Sequence, residues 1–208
     1  MDTAAIRKRS LKEAARLGYE VSAELPLSDF DVKARDGDEL VDRCLVLHAL
    51  IAVSYGFPRD TAKAWLTQEE LTSALSPSER RYLDAGDAAA DEFFHGLSES
   101  VWALMWSLGL ASKLDFAKTC PNDLVRTLPN LKTTESAAAF RARAQRRSTE
   151  ELLESADLAY CLNWAITDAA LRGASEPGRV PGWVVIERRR ALEWVLSDED
   201  WDEVPLDT

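Results

Sequence analysis

Acidic side chains recur in this sequence on apolar, helix-spaced runs beside tryptophan: Glu99 near Trp102 and Trp106, Asp157 and Asp168 near Trp164, and Glu187 with Arg188 near Trp194. Carboxylates converging in an open cleft can act as general acid and base or hold a divalent cation. Glu99, Asp157, Asp168, Glu187 and Arg188 are therefore the candidate catalytic set. An acid buried without a partner costs on the order of several kcal/mol, comparable to a domain's whole stability margin. Arg188 and Tyr160 are the internal partners that the sequence offers, with indole N–H groups as further donors. The same residues thus also read as an interhelical network that fixes helix register, and exposure separates the two readings.

Other chemistries find less support. Glu151, Glu154 and Asp157, spaced at i, i+3 against Glu39 and Asp42 on another helix, resemble the magnesium-holding motifs of all-α nucleotide pyrophosphohydrolases. The order of the two motifs is reversed, however, and capping and the helix dipole already explain acids in a first turn. His48 and His95 are the only histidines, and neither HxxxH nor HExxH spacing occurs. Both read as buried, hydrogen-bonded side chains. Neither GxSxG, a Walker A loop nor GxGxxG is present. Cys44, Cys120 and Cys161 form no CxxC pair and suit a reducing compartment. No metal and no cofactor is expected.

The elements that must position these groups are helical. Periodicity predicts a first helix over 3–17 closed by Gly18, and a second over 38–55 closed by Gly56. The second is apolar nearly all round, which places it at the centre. Pro58 starts a short helix, and capping boxes are expected at Thr67 with Glu70 and at Ser76 with Glu79. A longer helix over 87–108 would bury Phe93, Leu97, Val101, Leu104 and Leu108 on one face. An irregular crossover over 109–131 leads to an exposed helix over 134–147 carrying Arg143, Arg146 and Arg147. Ser148 and Glu151 cap a helix that runs to about Arg172.

The last helix opens at Trp183, with Trp183, Val184, Ala191, Leu192, Trp194 and Val195 on its apolar face, and Arg189, Arg190 and Glu193 pointing away. Trp201 and Val204 should dock the tail onto the body. The five tryptophans at positions 65, 102, 106, 164 and 194 read as core rather than as a ligand cage. The expectation is one all-α domain over 1–208, a bundle of about seven to nine helices with long irregular connections.

The runs ERRRALEWVL from Glu187, WDEVPLDT from Trp201, DLAYCLNWAITD from Asp157 and ESVWALMWSLG from Glu99, with Leu25-Pro26 and RKRS from Arg7, resemble domain of unknown function 4272 over nearly the whole chain. Cys161 and Asn163 stand where that family's pattern has arginine and histidine, which weakens a catalytic role there. The resemblance implies an intact fold and carries no activity with it.

The formal net charge of −11 repels phosphate, so nucleic acid and anionic membrane are poor partners, and a basic protein partner fits better. No run is apolar and long enough to span a bilayer, which makes a cytoplasmic location the expectation. Arg141, Arg143, Arg146 and Arg147 could pair between chains with Asp198, Glu199, Asp200, Asp202 and Glu203, which leaves a homo-oligomer open as a second kind of partner. The function expected is protein binding of a regulatory or immunity type. The alternative is a hydrolase-like enzyme using the carboxylate set with a divalent cation.

Overall fold

The computed structural model describes residues 2–27, 33–86 and 90–207. The first helix, α1 (Thr3–Leu17), begins where the Asp2 carboxylate accepts the Ala5 N–H. It ends where Gly18, at φ 92°, donates to Ala14 and Ala15 carbonyls. Next, α2 (Gly37–Ser54) starts at a reciprocal Asp36–Glu39 capping box and buries side chains on all sides, as its uniform apolarity requires. It is followed by α3 (Arg59–Gln68) and by α4 (Pro77–Ala85), whose Ser76–Glu79 capping box is formed as expected. Then come α5 (Asp91–Gly96), α6 (Ser98–Ser107), α7 (Ala138–Arg143), α8 (Thr149–Leu171) and α9 (Gly182–Val195). Among the described residues there is no strand.

Packing proceeds from α1 onto α8, α8 onto α9, α9 onto α6, and α6 onto α2, which also carries α3 and α5. The buried side chains form one continuous core, including Trp65, Trp106 and Trp194; Trp164 packs at its edge, partly buried.

The structure departs locally from the pattern in five places. Thr67 does not cap a helix: its hydroxyl bonds the Lys63 carbonyl inside α3, and Glu70 turns the chain at φ 60°. The helix expected over 87–108 is two, α5 and α6, interrupted at Leu97 after the weak helix former Gly96; Asp87 lies outside the described residues. Phe93 is consequently half-exposed. The helix expected over 134–147 shortens to α7 because Ala144 turns extended. From there Gln145 and Arg147 N–H groups reach the Leu108 and Ser107 carbonyls, satisfying acceptors that the end of α6 leaves open. Arg147 is thus no member of a solvated face: its guanidinium bonds the Trp106 and Ala111 carbonyls and covers the Trp106 ring.

On α9, Trp183 is half-exposed and Arg189 is buried, the reverse of the expected order. Arg189 is covered by the tail, which folds back and offers it the Leu206 and Asp207 carbonyls. Trp201 is buried edge-on to Trp194, at 5.7 Å between ring centroids, with the Arg43 guanidinium 5.2 Å away on its face. Asp202 closes the strap, accepting from the Ser76 and Ser78 hydroxyls and the Ser78 N–H. Burial pushes its pKa up, but these hydrogen bonds outweigh that and hold it below the ordinary carboxylate value.

Replacing a buried Trp by Ala costs about 3 to 5 kcal/mol, so Trp201→Ala should lower the urea midpoint by a corresponding amount. A midpoint equal to the parent's would mean that the tail contributes nothing.

His48 provides a pH test. Its Nε2 lies 2.9 Å from the Pro129 carbonyl, and burial, opposed by that hydrogen bond, holds its pKa below the ordinary 6.5. On acidification the unfolded chain takes up this proton first, so the contribution is complete above about pH 6.5 and is lost as pH falls below it. His48→Gln should flatten the decline in unfolding free energy between about pH 6.5 and 5, where one such group accounts for at most ~1.4 kcal/mol per pH unit. An unchanged slope would assign the acid sensitivity elsewhere.

Candidate functional site

The acids singled out by the sequence do not converge on one centre. Glu99 stands in the first turn of α6, 2 % exposed, and faces Arg188 of α9, which is 0 % exposed. Its Oε2 accepts from Arg188 Nε at 2.9 Å and from the terminal Nη2 at 2.6 Å, while its Oε1 accepts the Cys120 N–H at 2.8 Å. Arg188 also donates to the Asp115 and Lys118 carbonyls at 2.8 and 2.6 Å, and lies 4.4 Å over the Trp102 ring. Both carboxylate oxygens are therefore taken.

Asp157 of α8 is closed by a residue that the sequence did not flag, Arg7 of α1. Arg7 Nη2 and Nε donate to Asp157 at 2.7 and 3.1 Å, and Nη1 donates to the Leu25 and Pro26 carbonyls at 2.7 and 3.0 Å. Tyr160, expected as a donor to the acids, instead packs its ring against Arg7 and Arg189. A signal for Arg7 existed: it shares the stripe of Ser10, Ala14 and Leu17 at i, i+3, i+7 and i+10, all buried. Glu187 accepts from the Ser100 hydroxyl at 3.0 Å and from Arg190 at 3.3 Å. Asp168 is partly exposed and pairs with Arg172 at 2.7 Å, one turn along α8.

A third buried pair was also unforeseen. Arg43 of α2 grips Glu79 of α4 at 3.1 and 2.9 Å and bonds the Ala74 carbonyl at 2.7 Å. Glu79 had been legible only as a capping residue, and it serves both ends by accepting the Ser76 N–H. The acids of the magnesium-like pattern are similarly engaged: Glu151 with Ser148 and Arg147, Glu154 with Arg9, Glu39 with Arg35, Asp42 with Arg141. Among the described residues no group of three His, Cys, Asp or Glu side chains is placed to hold a metal ion.

Nor is there an activated thiol. Burial, with the nearby charges of Glu99 and Asp157 respectively, pushes Cys120 and Cys161 up to about 12, and burial alone raises Cys44. All three are protonated at neutral pH, whereas a nucleophilic cysteine needs the thiolate.

These features define an all-α protein whose buried carboxylates Glu79, Glu99, Asp157 and Glu187 each have an arginine partner. A family model described as Domain of unknown function (DUF4272) matches residues 7–204, and the chain belongs to that family. No curated protein and no solved structure matches the chain. The runs that carry the resemblance supply two of the three closest buried pairs: Arg7, Leu25-Pro26 and Asp157 meet at one, Glu99 and Arg188 at another, while Arg43 and Glu79 lie outside them.

Breaking a buried pair from one side leaves an uncompensated charge and costs about 3 to 5 kcal/mol. Arg188→Met should lower the unfolding free energy by that much, Arg188→Lys should recover little of it, and adding Glu99→Gln to Arg188→Met should restore part. Equal urea midpoints for parent and Arg188→Met would show the pair to be energetically idle.

Proposed function

We propose that this protein works by binding rather than by catalysis, as an acidic all-α protein of a regulatory or immunity type that docks on a basic protein partner in the cytosol. One observation carries this reading: the acid best placed for chemistry, Glu99, has both oxygens occupied, by a fully buried arginine and by a backbone N–H. A carboxylate that is 2 % exposed and already accepts three hydrogen bonds is poorly placed to take a substrate proton or a hard cation. The net charge of −11 is a further support, because it favours fast, oriented encounter with a positive surface. The exposed acids Asp198, Glu199, Asp200 and Glu203 sit on a tail tied down at Trp201 and Asp202, so they present charge on a fixed frame. No helix among the described residues is long and apolar enough to cross a membrane.

The competing reading is an enzyme that uses the carboxylate set with a divalent cation. Titration of the purified protein with Mg²⁺, Mn²⁺ and Zn²⁺, alone and with nucleotides, should leave the melting temperature unchanged. A saturable rise that Asp157→Asn or Glu187→Gln abolishes would overturn the binding reading in favour of the enzyme.

A further inference from the structure

Three of the large apolar side chains left exposed meet on one short helix, α5. Tyr55 is 71 % exposed, Phe93 51 % and Trp183 48 %. Tyr55, just beyond α2, lies flat on His95, with ring centroids 4.1 Å apart and planes 25° from parallel. His95 is fixed in turn, its Nε2 lying 2.9 Å from the Ser54 carbonyl. Trp183, in the first turn of α9, covers Gly96: a Cβ there would stand 3.8 Å from its ring. Phe93 is held edge-on to the buried Phe94 at 5.2 Å.

Glu92 stands one turn before His95 and Gly96 on α5. Positions i+3 and i+4 flank a helical residue on either side, so His95 with Tyr55 lies to one side of Glu92 and Gly96 with Trp183 to the other. Glu92 is exposed and, among the described residues, has neither an ion-pair nor a hydrogen-bond partner. The contrast with the interior is sharp, because each buried carboxylate there has its arginine.

A solvated acid framed by aromatic faces restricts what can cover it. An apolar partner would bury the Glu92 charge unpaired, which is costly. A second copy of this chain would bring a second Glu92 and another eleven negative charges to the same contact. An arginine or lysine side chain satisfies both features, since it pairs with the carboxylate and packs over the rings.

We infer that the outer face of α5 is a docking surface, where a basic partner segment places an arginine or lysine over Glu92 between the Tyr55–His95 stack and Trp183. This rests on the protein-binding reading and gives it a place.

The test uses the full chain and, as probe, a decapeptide of alternating arginine and glycine, followed by calorimetry at low and at physiological salt. Binding should weaken with salt. It should also weaken by roughly tenfold in Trp183→Ala and in Glu92→Gln. Both positions are on the surface, so both variants should keep the parent's melting temperature. The triple variant D198N/E199Q/D200N should bind within about twofold of the parent, since rim charges act mainly through steering. With 5-fluorotryptophan incorporated, the ¹⁹F resonance missing from Trp183→Phe should move when the peptide is added.

Peptide binding that ignores Trp183→Ala and Glu92→Gln but fails in the tail triple would overturn this surface and leave the protein-binding reading standing. No binding to the parent would likewise overturn the surface, whereas the reading itself falls only to a metal or nucleotide site. A sedimenting dimer that Trp183→Ala dissociates would assign the patch to a second copy and overturn the proposal.

Discussion

Arg188 is a permanent charge placed where no water reaches it, and the surrounding structure is arranged to make that tolerable. A guanidinium cannot be neutralised by giving up its proton, so it needs a counter-charge and an acceptor for its fork of N–H groups. Glu99 supplies the charge, Asp115 and Lys118 supply carbonyls, and the rings of Trp102 and Phe116 cover its faces. The two carbonyls come from the irregular crossover after α6. One side chain thus sets the register of α9 on α6 and fastens a segment with no helix of its own.

The same arrangement recurs, and it explains how a helical protein with long connections keeps them in place. Arg7 pairs with Asp157 and holds the Leu25 and Pro26 carbonyls; Arg43 pairs with Glu79 and holds that of Ala74. Arg147 pairs with Glu151 and holds Trp106 and Ala111. Arg189 pairs with Glu193 and holds Leu206 and Asp207, and Arg35 pairs with Glu39 and holds Trp194 and Glu199. In each case the carboxylate belongs to a helix, and carbonyls at helix ends or on irregular chain take the remaining donors. Lysine, a compact ammonium without a planar fork, could not span both tasks with the same geometry.

This division of labour decides what the sequence discloses. Helical periodicity with its caps locates α1, α2, α8 and α9 closely, because those signals lie within a few residues of what they determine. Arg188 could be singled out because it interrupts an apolar face. Its partner is 89 residues away, and that of Arg7 is 150 away, a pairing that only the packed helices create. Local pattern also failed where distant chain supplied the cover. Arg189 reads as solvent-facing until the tail folds over it, and the expected helix over 134–147 gives way where the end of α6 offers unsatisfied carbonyls. The aromatic face on α5 was hidden for the same reason, since Tyr55, Phe93 and Trp183 come from three separate stretches of chain.

The clamps also bear on the electrostatics outside. Each joins one arginine to one carboxylate, so it withdraws equal amounts of positive and negative charge. The formal −11 is therefore undiminished by the interior and is carried by the outer surface. A field of that sign acts over about 8 Å at physiological salt, enough to draw in and orient a cationic surface but not to select one. Selection needs contacts at short range, and Glu92 among the rings of α5 is where unneutralised charge and exposed aromatic area coincide. The buried arginines, by contrast, are committed to holding the chain together.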